Sequence, residues 1–418
     1  FGVTDDTSKA FSPQNNFYYI PGEPFQVPED YEPIPGFTFA TKDQKFDEFP
    51  AKATGNDKFE PNPSQYDWFE TVKLNYGVDY QNDRQKHFDP IPDTWHKMKD
   101  ILAYWTGLGI DGFRCDMAEM VPVEFWGWVI PQIQLINPEI VFIAEIYNPN
   151  EYENYIWAGK FDYLYDKVEL YDTLRHIIEG KGSTNHVSPI ILDFEAKKIE
   201  NHMLRFMENH DEQRLASRFF AGDPWLGWPA VALSATISNG PVMIYFGQEV
   251  GEPGLGAEGF QGDDGRTTIF DYWGVPEHQK WMNDGKFDGG KLSGNQKALR
   301  DRYSRLLNLC NGNPTLRRGK FIELHLLNSN SAKGYKNDKV YTFLKQNENE
   351  VILCAFNFSL EDQEIDVLLP EAFSDVDWNK NLELLTSEAF TFSKNKEDLL
   401  RLNLEKNQVL FVETNIQN

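Results

Sequence analysis

Three carboxylates each close a short, β-prone run, and two of them sit beside a basic side chain. Asp116 ends Gly112-Phe113-Arg114-Cys115-Asp116, and Glu145 lies at the end of Ile140-Val141-Phe142-Ile143-Ala144-Glu145-Ile146-Tyr147. Asp211 follows His210 at the end of His202-Met203-Leu204-Arg205-Phe206-Met207-Glu208-Asn209. Residues two apart in a strand share a side, so Arg114 and Asp116 face the same way. Carboxylates held like this do acid–base or nucleophilic work. A structural salt bridge capping one strand is the plainer reading of Arg114 and Asp116 alone. An acid at a buried strand tip is costly without a purpose. Three at matching strand ends point to one site.

The surrounding pattern supplies elements to hold them. Trp95, Met98, Ile101, Leu102 and Trp105 recur at helical spacing and stop at Gly107 and Gly109. Strands are predicted at Gly112 to Met117, Ile140 to Ile146, Phe161 to Tyr165, Leu204 to Glu208 and Pro241 to Phe246. Helices are predicted at Pro122 to Leu135, Leu170 to Glu179, Trp228 to Ser238 and Asn295 to Cys310, with Gly180 as a stop. Glu145 lies 29 residues after Asp116, and Asp211 lies 66 after Glu145. Those intervals fit one and two βα units of an α/β barrel, which keeps its chemistry at the C-terminal strand ends. Gly251 to Gly294 is a Gly- and aromatic-rich loop with Phe270-Asp271-Tyr272-Trp273, expected on that rim. After residue 312 seven short alternating segments, from Phe321 to Val412, predict an antiparallel β-sandwich.

Gly-Phe-Arg-Cys-Asp, Ile-Ala-Glu and Glu-Asn-His-Asp, in this order, resemble three signature regions of the α-amylase family of glycoside hydrolases. Gly240 to Glu249 is similar to the family's eighth-strand region, and Val72 to Asn75 to its motif in the loop domain after strand three. The resemblance implies a TIM (β/α)8 barrel. It also implies a retaining mechanism on α-1,4-linked, starch-like glucans, with Asp116 as nucleophile and Glu145 as general acid/base. Retaining chemistry expects the two carboxyl groups roughly 5–5.5 Å apart. Asp211 and His210 would grip the reacting sugar, with Arg114 orienting Asp116 and with Glu119 and Tyr147 as further substrate contacts. Glu145 would need a less polar setting and a nearby negative charge to keep its proton.

Departures from the family pattern are specific. Ala118 and Glu119 stand where a Lys-His pair often follows the nucleophile, and that histidine's backbone helps hold a structural calcium in such members. Calcium is thus left open, and no cofactor is required for the chemistry. The region after strand three, an Asp and an Asn-His pair, has no match here. The expectation is a barrel lacking its first three strands, with the missing N-terminal part of the same enzyme as a partner and little activity for this chain alone. The expected division is a long loop or small domain at 1–66, barrel strands four to eight at 67–312 and the sandwich at 313–418. An α-glucan transglycosylase, or a non-catalytic glycan-binding relative, remains an alternative.

Composition narrows the rest. A net charge of −25 over 418 residues, with pI near 4.7, argues against nucleic acid or an anionic membrane as partner. Three scattered cysteines, Cys115, Cys310 and Cys354, make neither a disulfide framework nor a zinc site. Cys115 should point away from Asp116 into the core. No apolar run reaches the ~18 residues of a membrane-spanning helix, and the compartment stays open.

Overall fold

The computed structural model describes residues 1–28, 31, 47–256, 262–267, 275–331, 334–373, 376–378, 381–394 and 399–415. Packing divides the chain into two units, Phe1–Ile146 with Glu153–Asp162, and Tyr147–Tyr152 with Tyr163–Asn418.

In the first unit the helix α1 (Asp93–Gly107) buries Trp95, Leu102 and Thr106 along one side. Gly109 follows with φ 88°, a left-handed turn that a side chain would oppose. The chain then enters β1 (Gly112–Cys115), crosses back through α2 (Val123–Gln134) and returns in β2 (Val141–Ala144). β1 and β2 run parallel, with Gly112 opposite Val141 and Cys115 opposite Ala144. Gly112 is forced by this approach, because a Cβ there would strike the Val141 carbonyl. Phe125, Trp126, Val129, Ile130 and Ile133 of α2 fall at helical spacing and are buried. Their rings meet Trp95 and Phe161, with centroids 5.6 Å apart for Trp95–Phe125 and 4.9 Å for Trp126–Phe161. Two short antiparallel pairs precede α1, Tyr19–Ile20 with Ala51–Lys52 and Val78–Asp79 with Gln85–Lys86. Neither adds a parallel strand.

In the second unit β3 (Tyr163–Tyr165), β4 (Met203–Phe206) and β5 (Val242–Met243) are parallel neighbours in that order. Between them lie α3 (Asp172–Ile178), α4 (Val187–Lys197) and α5 (Trp228–Thr236). All four residues of β4 are buried, as expected of a strand covered on both faces. Its one charge, Arg205, sits 3.4 Å from Asp166 and donates to Ser238. The expected strand positions hold to within a few residues. α4 is not among the helices expected above, and its third residue is Pro189. It stands in the first turn, where its missing N–H costs nothing, and Val187, Ile191 and Phe194 turn inward. Past Gly251 the expected loop contains a further helix, α6 (Pro276–Met282). Phe270 to Trp273 lie outside the described residues. A capping box of Ser293 and Gln296 starts α7 (Gly294–Gly312).

The remaining strands form a C-terminal antiparallel β-sheet domain. They are β6 (Lys320–Glu323), β7 (Val340–Asn347), β8 (Glu350–Asn357), β9 (Gln363–Val367), β10 (Asn381–Glu383), β11 (Glu388–Phe390), β12 (Ser393–Lys394), β13 (Leu400–Leu404) and β14 (Val409–Asn415). One sheet runs β6-β7-β8-β14-β10-β11 and the other β9-β13-β12. Val351, Leu353 and Val412 of the first share an apolar cluster with Ile365, Leu400 and Leu402 of the second. The alternation that predicted these strands is the alternation that fills this core.

Candidate active site

β1 ends on Cys115, and the next residue leaves the sheet. Cys115 is buried, its thiol pushed up to about 12 by that burial, so it packs and does not react. Asp116 turns outward, with its side chain 76% exposed. Arg114 lies on the same side, and its Nη1 meets Asp116 Oδ1 at 2.8 Å. The other arm of the guanidinium, Nη2, meets Glu145 Oε1 at 2.9 Å. One arginine therefore bridges two carboxylates 29 residues apart in sequence.

Glu145 follows β2 directly and is buried, at 3% side-chain exposure. Its second oxygen, Oε2, accepts from the Met117 N–H at 2.8 Å. Its own N–H continues the ladder to Cys115 O at 3.1 Å. Met117 reaches Glu145 because its backbone is left-handed, φ 45° and ψ 41°. A non-glycine residue in that region is strained and must be held by its surroundings. Trp126 Nε1 donates to Ala118 O at 3.1 Å, and the Tyr155 hydroxyl donates to Glu119 O at 3.1 Å and Val121 O at 2.9 Å. The turn after Asp116 is thus fastened from two sides. Glu145 is buried as expected, yet its setting is not apolar. A guanidinium and a backbone N–H both lie against its carboxylate.

In the second unit the chain leaves β4 through Met207 to Asp211. Asn209, buried, accepts at Oδ1 from the N–H groups of Asp211 at 2.9 Å and Glu212 at 2.8 Å. That turn presents His210 and Asp211 together, with Nε2 3.1 Å from Oδ2. Arg266 Nη1 donates to the Asp211 carbonyl at 3.4 Å. Among the sequence-expected residues, Arg114, Asp116 and Glu145 form one cluster, and His210 and Asp211 form another. Glu119 contributes its carbonyl to the turn, and Tyr147, half-buried beyond β2, packs in the second unit. Met117, Tyr155, Arg214 and Arg266 were not foreseen. A backbone N–H has no sequence signal, whereas Arg214, three residues past Asp211, could have been noticed from its spacing. No group of three or more His, Cys, Asp or Glu side chains among the described residues converges as a metal site.

Residues 39–272 match the family model "Alpha amylase, catalytic domain". The chain belongs to the α-amylase family of glycoside hydrolases. Alpha-amylase 3 of Dictyoglomus thermophilum is 24% identical over 298 residues, 66% of this chain and 57% of that protein. An alpha-1,4-glucan:maltose-1-phosphate maltosyltransferase of Cereibacter sphaeroides is 29% identical over 92 residues, 21% of this chain and 16% of that protein. The chain thus spans less than two thirds of these relatives. In structure, an Anoxybacillus α-amylase superposes with a TM-score of 0.60 at 18% identity, over 84% of this chain and 66% of that one. The maltogenic α-amylase AmyB of Thermotoga neapolitana gives 0.59 at 20%, over 86% and 71%. These likenesses carry the α-amylase fold. No helix among the described residues is long and apolar enough to cross a membrane.

Proposed function

We propose that the chain carries the catalytic carboxylates of a retaining glycosidase cleaving α-1,4-glucosidic bonds in starch-like glucans or maltooligosaccharides. The observation that carries this reading is Arg114 joining exposed Asp116 to buried Glu145. Asp116 attacks the anomeric carbon while Glu145 gives its proton to the departing glycosidic oxygen, so one C–O bond forms as the other breaks. Water then attacks that carbon, Glu145 takes the water's proton, and Asp116 leaves as a carboxylate. Arg114 orients the Asp116 carboxylate for attack and meets it again on release. To act as an acid, Glu145 must carry a proton when substrate is bound. His210 and Asp211 grip sugar hydroxyls beside the reacting carbon, contacts that strengthen as positive charge develops. No metal or cofactor enters these steps, because the protein's own carboxylates supply both the nucleophile and the proton.

A maltosyltransferase among the similar proteins favours a second reading in which a sugar, not water, accepts the glycosyl group. Maltooligosaccharide digestion with product analysis separates the two. New reducing ends of retained α-configuration support hydrolysis, and longer products support transfer. Products of β-configuration would overturn the retaining assignment.

We also infer that further polypeptide of the same enzyme covers the outside of the first unit. Ile101, Tyr104, Trp105 and Leu108 lie along the outer side of α1 and just past its end, all exposed, while the same helix buries Leu102 and Thr106 inward. A helix apolar on both sides is ordinarily covered on both. β1 alongside pairs only with β2 among the described residues, and an additional parallel strand with its helix suits both features. Residues 1–418 alone should then turn over maltooligosaccharides far more slowly than with that polypeptide supplied. Equal turnover would overturn the inference.

A further inference from the structure

We propose that Arg214, held by Glu208, is the positioning residue that locks the His210–Asp211 turn and the Gly265–Thr267 segment into one working arrangement. The inference rests on the glycosidase reading above for its kinetic consequence, but not for its structural one.

Both side chains are out of contact with solvent, Glu208 at 1% and Arg214 at 0% exposure. Neither can touch a substrate, so any influence must pass through what they hold. Glu208 Oε2 takes Arg214 Nη1 at 2.8 Å, and Oε1 takes the Leu215 N–H at 2.7 Å. The two contacts pin both ends of the stretch that contains His210 and Asp211. Arg214 spends its remaining donors elsewhere. Nη1 also reaches Phe246 O at 2.9 Å, just past β5. Nε and Nη2 reach Thr267 Oγ1 at 3.1 and 2.7 Å, and the Arg214 N–H meets Gly265 O at 2.8 Å. Its guanidinium also lies over the Tyr245 ring, 4.2 Å from the centroid.

The segment so captured returns a contact. Arg266, between Gly265 and Thr267, donates Nη1 to the Asp211 carbonyl and pairs through Nε with Asp264 at 3.0 Å. Gly265, at φ 81°, supplies a turn that a side chain would block against Ser217. The ring therefore closes, running from the turn to Arg214, on to Thr267 and Gly265, and through Arg266 back to the turn. Lysine in place of Arg214 would keep a charge for Glu208 but lose the planar fork that serves Thr267 and Phe246 at once.

The test uses Arg214→Lys, Thr267→Val and Thr267→Ser. Thr267→Val removes the hydroxyl but leaves the Glu208–Arg214 pair, so it remains informative if Arg214→Lys fails to fold. Amide exchange should quicken about tenfold at 209–213 and at 262–267 together in Thr267→Val, while the C-terminal sheets stay unchanged. Thr267→Ser, which keeps the hydroxyl, should restore wild-type exchange. In any preparation that turns over maltooligosaccharides, Thr267→Val should lower kcat by up to about 10²-fold, with KM changed much less. Exchange that stays at wild-type rates, quickens in only one of the two segments, or quickens throughout the chain would overturn the proposal, as would an unaltered kcat in a preparation that turns over. Absent turnover in the wild type even with the further polypeptide supplied would count against the glycosidase reading alone, because the exchange result stands without it.

Discussion

Two of the arginine–carboxylate clusters among the described residues, built from the same residue types, stand in opposite settings. In the first unit Arg114 joins Asp116 and Glu145 at strand ends, and Asp116 stands in solvent. In the second, Glu208 and Arg214 are sealed from solvent, with every contact made to the protein. An exposed carboxylate can meet a substrate and be replaced at small cost to stability. A sealed ion pair has already been desolvated, and removing one partner leaves a charge with nothing to balance it. On the proposed reading, the same residue types serve as a reagent in one setting and as a fastening in the other.

Substitutions at the two clusters should therefore separate activity from stability. The largest effect is expected from Asp116→Asn, which should cut maltooligosaccharide turnover on the order of 10⁴-fold in any active preparation. Its unfolding free energy should move by less than about 0.5 kcal/mol, as for other exposed positions. Urea denaturation beside a kinetic assay checks both halves, and a large stability loss would erase the contrast. Glu208→Ala comes next and should behave in reverse, destabilising by about 3–5 kcal/mol because Arg214 is left buried and unpaired. A stable Glu208→Ala chain in urea would break the comparison from the other side.

Arg114→Lys is expected to act between these extremes. It keeps the charge but cannot hold two carboxylates in one plane, so kcat/KM should fall by about 10²-fold with the melting temperature nearly unchanged. The smallest effect concerns pH. Burial pushes Glu208 from an ordinary 4.5 up to about 7, against the pull of Arg214. Between those values the folded chain keeps a proton that the unfolded chain has released. This contribution to stability is complete below pH 4.5 and is lost as pH rises through about 7. Melting curves across that window should fall less steeply in Glu208→Gln, and an unaltered slope would place the proton elsewhere.

Much of the fold is legible in the amino-acid sequence itself. The five parallel strands, the helices between most of them and seven of the C-terminal strands follow from apolar periodicity, which reports directly on which face each segment buries. α4 is absent from that reading, and its Pro189 is tolerated because it stands in the first turn. The ordered motifs around Asp116, Glu145 and Asp211 indicate the family, since their residue types and spacing are local properties of the chain.

Folding alone decided how those residues meet. Arg114 reaching Glu145, Met117 donating to it from a left-handed turn, and Tyr155 fastening that turn all join residues far apart in sequence or depend on backbone angles. The same holds for Arg214, whose partners Phe246, Gly265 and Thr267 lie 32 to 53 residues away. A sequence states which groups are present and which face of a strand or helix they take. Whether a carboxylate ends in solvent or sealed beside an arginine depends on burial and on distant donors, and only the packed chain supplies those.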